Sequence, residues 1–449
     1  MGIQWRVSRI WKFTGINDSW IFYYKFLIMK KNTLFAFFCK QNFVLSISCI
    51  LLLIDPQPLF ANVVLFFLSL LVARNPVNLI PLIFISAIST SIVVIPRFAA
   101  VFYYTYLFFF AYLVKHRFKF KWDKNRILII LFALWILLGA YNSITGEVFL
   151  VYRLLALILP LVLCTSCKLN ITSLISGLLT ISVVSSVYIL YKILFNPVLF
   201  LPGEGALNYS YSSELVQLTI AREINPNTLA QFLLIIYLIL FTFYLEIKKR
   251  ILLLFCFISL ISVLIIGSRT IFLSLLMISF ILFMNTSSIS KIKKIFIITF
   301  FLIMGQVLLN FVIDTNNRLA FDTIIENKGS GRFDTWNSLF SNVIPNNFIM
   351  GIGYGRQNLT HLGYDVDADN LYVDILTQLG IVGFILFFVI YLRLLKYVYN
   401  LKDFPAKVAF SLLLFILFAG LGETVFDTFI YWIIIFYTLL ILNNKQILN

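Results

Sequence analysis

The segment Asp369-Asn370-Leu371-Tyr372 opens onto LGIVGFILFFVIYL, one of the most apolar runs of a 449-residue chain that is 61% hydrophobic and 12% charged. A carboxylate in that place can accept a proton from a hydroxyl or orient it. It can equally cap the helix that LYVDILTQL would begin. Four arginines stand beside other apolar runs: Arg153 in FLVYRLLAL, Arg222 in AREINPN, Arg269 in GSRT and Arg332 in GRFDTW. The guanidinium fork suits bidentate contact with phosphate or carboxylate and keeps its charge on burial, so these positions point to a phosphate-bearing partner. The competing reading is that each arginine pairs with a carboxylate of the chain or reaches to the surface.

The elements that must hold these residues are membrane helices. Apolar runs near 43–54, 59–73, 77–95, 98–114, 127–144, 149–164, 172–195, 229–246, 251–267, 271–285, 295–313, 379–395, 407–422 and 428–442 are long enough, or nearly so, to cross a hydrocarbon core of about 30 Å. The fold class expected is therefore an all-α integral membrane protein with about 12–14 transmembrane helices. A large, partly helical external loop falls between residues 314 and 378, because its aromatic and glycine content favours a folded cap. The organisation predicted is a basic cytoplasmic tail (1–41), an N-terminal bundle (42–195), an external loop (196–228), central helices (229–313), the large external loop (314–378) and C-terminal helices (379–449).

A net charge of +16 would suggest nucleic acid in a soluble protein. Here the lysines gather in short turns between spans, such as KKR (248–250) and KIKK (291–294), so they set orientation and exclude a nucleic-acid role. With both termini and those turns in the cytoplasm, the basic residues left outside are Arg97, Arg153, Lys192, Arg222, Arg269, Arg318, Lys328, Arg332 and Arg356. Seven of these nine are arginine, a bias that orientation does not explain, since lysine would serve it as well. Ionisable groups at the membrane rim are functional candidates by default. The pair Cys164 and Cys167 has CxxC spacing without a histidine or a second pair and reads as a span end.

Five stretches, AREINPNTLAQFLL (221–234), IIGSRTIFLSLL (265–276), GRFDTWNSLF (331–340), IPNNFIMGIGYG (344–355) and ADNLYVDILTQLGIVGFILF (368–387), resemble in their order and topology the O-antigen polymerase and O-antigen ligase superfamily of bacterial envelope glycosyltransferases. The resemblance implies a transferase that faces the periplasm or cell exterior, uses sugar chains carried on undecaprenyl pyrophosphate, and needs no metal, nucleotide sugar or other cofactor. It also implies partners: a lipid-linked oligosaccharide, membrane lipids, a chain-length regulator and a flippase of the same pathway. Ligases of the superfamily usually carry a histidine before the Asn of this last motif, where this chain has Asp369 and its nearest histidine is His361. That difference favours the polymerase (Wzy-type) branch over a ligase that transfers finished glycan to lipid A core. A flippase or transporter of lipid-linked sugars would share the apolar content, but its unusual charges would sit at mid-membrane.

On that reading Arg153, Arg222, Arg269 and Arg332 hold the diphosphate, Asp369 is the base, and Asn370 and Tyr372 contact sugar. Glu223 pairs with Arg222 or Arg269, while Asp374 is solvated or paired. Phe333, Trp336, Phe340 and Val343 recur at helical spacing, which predicts a short helix on the membrane or under the cap with Arg332 at its start. Gly351, Gly353 and Gly355 follow no βαβ pattern and predict a tight turn rather than a dinucleotide site.

Overall fold

The computed structural model describes residues 43–53, 67–68, 70–71, 79–83, 104–111, 124–141, 171–195, 226–266, 268–286, 332–354, 358–359, 362–363, 370–401, 403–422 and 429–446. Every regular element among them is helical: α1 (Phe43–Leu53), α2 (Lys124–Tyr141), α3 (Ile171–Phe195), α4 (Pro226–Ile247), α5 (Arg250–Ile266), α6 (Arg269–Met284), α7 (Arg332–Ser338), α8 (Leu371–Leu401), α9 (Phe404–Ala419) and α10 (Phe429–Gln446). The expected spans at 149–164 and 295–313, the N-terminal tail and the loop at 196–225 lie outside the described residues.

α4 is the hub. Its residues 230–240 are all buried, as a helix apolar on every side must be, and it packs against α3, α5, α6 and α9. α10 is buried in the same way from Tyr431 to Ile441 and lies against α8 and α9. The outer helices instead show apolar stripes at helical spacing: Ile127, Leu131, Leu134 and Leu138 on α2, Leu254, Phe257 and Ile261 on α5, Leu273, Met277, Phe280 and Met284 on α6, and Ile385, Val389 and Leu392 on α8. Contiguous exposed hydrocarbon of this extent suits lipid and not water. Among the described residues three helices, those carrying Leu174–Tyr191, Ala230–Ile247 and Leu371–Leu401, are long and apolar enough to cross a membrane. The chain is an all-α integral membrane protein.

Many hydroxyl groups inside these helices are satisfied locally. Thr180, Ser186, Thr242, Ser262, Ser274 and Thr438 each donate to the carbonyl four residues back at 2.6–2.9 Å, which lets them sit among apolar side chains without an orphaned polar atom.

Among the described residues the two ends of the bundle differ in charge. Lys124 and Arg126 begin α2, Lys248–Arg250 turn α4 into α5, and Arg393 and Lys396 stand late in α8. Lys407 begins α9. Arg393 Nε donates to Asn125 Oδ1 at 3.3 Å and Lys407 pairs with Glu246, so these cations share one end. The opposite end, referred to below as the rim, carries the starts of α4, α6 and α8 and the end of α9.

α8 departs from the expected span at 379–395. Helix begins at Leu371, inside the region assigned to the external loop, and breaks at Gly380, where φ is 64° and ψ is −171°. Sixteen residues of straight helix would span about 24 Å, yet the rings of Tyr372 and Phe388 stack with centroids 5.6 Å apart. The outer half (371–379) therefore folds back against the start of the inner half (381–401).

Candidate functional site

The fold-back is held by backbone groups that the break sets free. A helix interrupted in an apolar setting leaves carbonyls and N–H groups that need partners. Here the N–H groups of Ile352 and Gly353 donate to the carbonyls of Thr377 and Gln378 at 2.9 and 3.0 Å. Trp135 Nε1 of α2 donates to the Leu379 carbonyl at 2.9 Å, and the Ile381 N–H donates to the Phe348 carbonyl at 2.8 Å. Of the glycines predicted to turn, Gly351 and Gly353 take positive φ and allow close approach, while Gly355 lies outside the described residues. A Cβ on Gly380 would collide with the Ile349 carbonyl, and one on Gly351 (φ 73°) would collide with the Gln378 carbonyl. Gly380 occupies a backbone region open in practice to glycine alone.

The start of α8 is fastened to the end of α9. Asn370 Oδ1 accepts the N–H groups of Tyr372 (3.0 Å) and Val373 (3.2 Å), which makes Asn370 the helix cap one residue beyond Asp369. Its Nδ2 donates to the Leu421 carbonyl at 2.8 Å, the Leu371 N–H donates to the Gly420 carbonyl at 2.8 Å, and the Tyr372 hydroxyl donates to the Leu417 carbonyl at 2.6 Å. The polar atoms of Asn370 and Tyr372, expected on sugar, are engaged with the protein's own backbone. A Cβ on Gly422 would touch the Thr270 side chain at 2.6 Å, so the first turn of α6, which opens with Arg269, lies against the same α9 terminus.

One polar face was not anticipated. Asp374, Thr377 and Gln378 follow Asn370 at one- and two-turn spacing on the outer half of α8, and they are 3%, 1% and 2% exposed. Of the two placements expected for Asp374, solvated or paired, burial rules out the first, and Thr377 Oγ1 is buried with no hydrogen-bond partner. The missing sequence signal was periodicity: three polar residues at i, i+3 and i+4 within a helix that starts eight residues before the hydropathy rises.

α7 begins at Arg332, as predicted, and runs into a π-turn (Leu339–Val343) and a 3-10 turn (Pro345–Asn347). The Ile344 N–H reaches back five residues to the Leu339 carbonyl at 2.9 Å. Trp336, Leu339, Val343 and Ile344 form a small core with Ile352, Leu359 and Val373, which joins α7 to the outer half of α8. Of the candidate residues, Arg269 and Arg332 start α6 and α7, and Asn370 and Tyr372 start α8. Asp369, Arg153, Arg222 and Glu223 lie outside the described residues.

The arrangement defines a helical membrane protein whose rim gathers a helix cap, a folded-back half-helix and the first turn of an arginine-headed helix. Residues 254–388 match the family described as O-antigen ligase, a match to the O-antigen polymerase and ligase superfamily. The matched region runs from α5 to Phe388, the residue on which Tyr372 stacks, and so contains the break, the α7 segment and Arg269. No curated protein matches the chain. The family match supports a glycosyl-transfer function of the polymerase or ligase type.

Proposed function

We propose that the protein polymerises a polysaccharide, O-antigen or capsule, by moving a growing glycan from undecaprenyl pyrophosphate onto a sugar hydroxyl of a new lipid-linked repeat unit. The reading rests on one observation: the family match covers α6 and the outer half of α8, and both meet the end of α9 that lies beyond it, with Thr270 against Gly422 and Asn370 bonded to Leu421. The cation-rich end opposite the rim supports a cytoplasmic placement for that end, and hence an external site on the cytoplasmic membrane.

In the reaction the anomeric C–O bond to the diphosphate breaks and its electron pair leaves on phosphate. The acceptor oxygen bonds the anomeric carbon and its proton passes to the carboxylate of Asp369. Arg153, Arg222, Arg269 and Arg332 disperse the charge that grows on the leaving diphosphate, the kind of pre-positioned stabilisation that often supplies the largest catalytic effect. Glu223 orients the adjacent Arg222. Asn370 and Tyr372 act by fixing the backbone that follows Asp369, which their bonds to α9 support. Sugar identity and length control belong to contacts with the acceptor and with a chain-length regulator, and a flippase of the same pathway supplies the substrate.

The second reading is a ligase, favoured by the description of the matched family. A carbohydrate gel separates the two: cells without the polymerase show a single repeat unit on the acceptor, whereas cells without the ligase keep polymer on the carrier lipid. Arg269→Ala and Arg332→Ala each abolish polymer at normal membrane abundance, and lysine at either position rescues poorly because the fork is lost. Full-length polymer from both alanine variants overturns the assignment.

A further inference from the structure

The α7 segment leaves a set of large apolar side chains uncovered. Phe333, Phe340, Phe348 and Ile349 are 55%, 48%, 50% and 62% exposed, although none belongs to a membrane-crossing helix. Phe333 and Phe340 are two turns apart and share one edge of the helix, beside the face that Trp336, Leu339 and Val343 bury against the small core. Asp334, Ser341 and Asn342 are exposed on the other flank. The segment is amphipathic with an apolar edge that the described residues do not cover.

Its height in the molecule identifies what does. The Phe348 carbonyl accepts the N–H of Ile381, the first residue of the inner half of α8, and the Ile349 carbonyl lies against Gly380. The lipid-facing stripe of that half begins one turn further on, at Ile385. The uncovered patch thus lies one helical turn from the start of the lipid-facing stripe. The backbone is prepared for such a place: Asn346 Nδ2 donates to the Asn342 carbonyl at 2.8 Å and Asn347 Nδ2 to the Val343 carbonyl at 3.0 Å, which satisfies acceptors that the π- and 3-10 turns leave over.

We propose that residues 333–349 form an interfacial foot, with Phe333, Phe340, Phe348 and Ile349 seated among phospholipid acyl chains just below the headgroups of the leaflet at the rim. The foot is tied by backbone bonds to the break at Gly380, so the membrane surface sets the position of the folded-back half-helix.

The test places a polarity-sensitive fluorescent amino acid at 340, 348 or 342 of the full chain in phosphatidylethanolamine–phosphatidylglycerol vesicles whose acyl chains carry bromine near the headgroup. Emission is lost at 340 and 348 and retained at 342. Retained emission at 340 or 348, or equal loss at all three, overturns the proposal. The unmodified chain gives an independent measurement with lipids carrying a photoreactive diazirine at the top of the acyl chain: the peptide containing 333–349 acquires lipid adducts, and its absence from the adducts overturns the proposal even if a labelled variant misfolds.

Discussion

Replacing Gly380 by alanine asks whether the fold-back of α8 depends on one absent side chain. A residue with a Cβ held in this region of backbone space costs about 1–3 kcal/mol in strain. The new methyl group would also meet the Ile349 carbonyl and the Gly351 nitrogen, so the 348–353 segment must withdraw. Withdrawal endangers the bonds from Ile352, Gly353 and Ile381, each worth about 0.5–1.5 kcal/mol net. A straightened helix would recover its own N–H···O bonds, and the strain alone then shifts the balance away from the folded-back form by about 5–150-fold. The assay is a short thiol cross-linker applied to a chain free of its native cysteines and carrying Tyr372→Cys and Phe388→Cys. In the folded-back form these positions hold stacked rings 5.6 Å apart, whereas a straight helix separates them by about 24 Å, beyond the linker. Cross-linking is efficient with Gly380 and lost with Gly380→Ala. Equal yields in the two backgrounds would refute the reasoning.

Trp135→Phe keeps the ring volume near the break but leaves the Leu379 carbonyl without its donor, so thermal unfolding in detergent shows a loss of about 1–3 kcal/mol. Asp369→Asn abolishes polymer if Asp369 takes the proton; because Asn370 already caps α8, wild-type polymer would remove the base role.

Hydropathy located most helices because lipid and buried protein both select long apolar runs. The expected spans at 172–195, 229–246, 251–267 and 271–285 correspond to α3, α4, α5 and α6 within a few residues at each end. The outer half of α8 escaped because Asp374, Thr377 and Gln378 lower its apolar character, and hydropathy cannot distinguish a polar residue in water from one buried against protein. The break itself was half visible: the glycines at 351 and 353 signalled a turn, but nothing local told that the turn's N–H groups would serve carbonyls near Gly380. Asp369 and Asn370 are equivalent as caps by residue type, and the contact with Leu421 decides between them. Arg332 at the head of α7 was legible from the apolar spacing that follows it.

The hydroxyls that bond to carbonyls of their own helices leave much of the helix packing to hydrocarbon contact, which has no preferred direction. Neighbouring helices in the body of the molecule can then slip or tilt slightly as bilayer thickness changes while their internal bonds stay intact. Around Gly380 and Asn370 the bonds run between segments and have fixed geometry, so that part must move as one piece. A membrane of altered thickness would deform the trunk while leaving the shape of the rim unchanged.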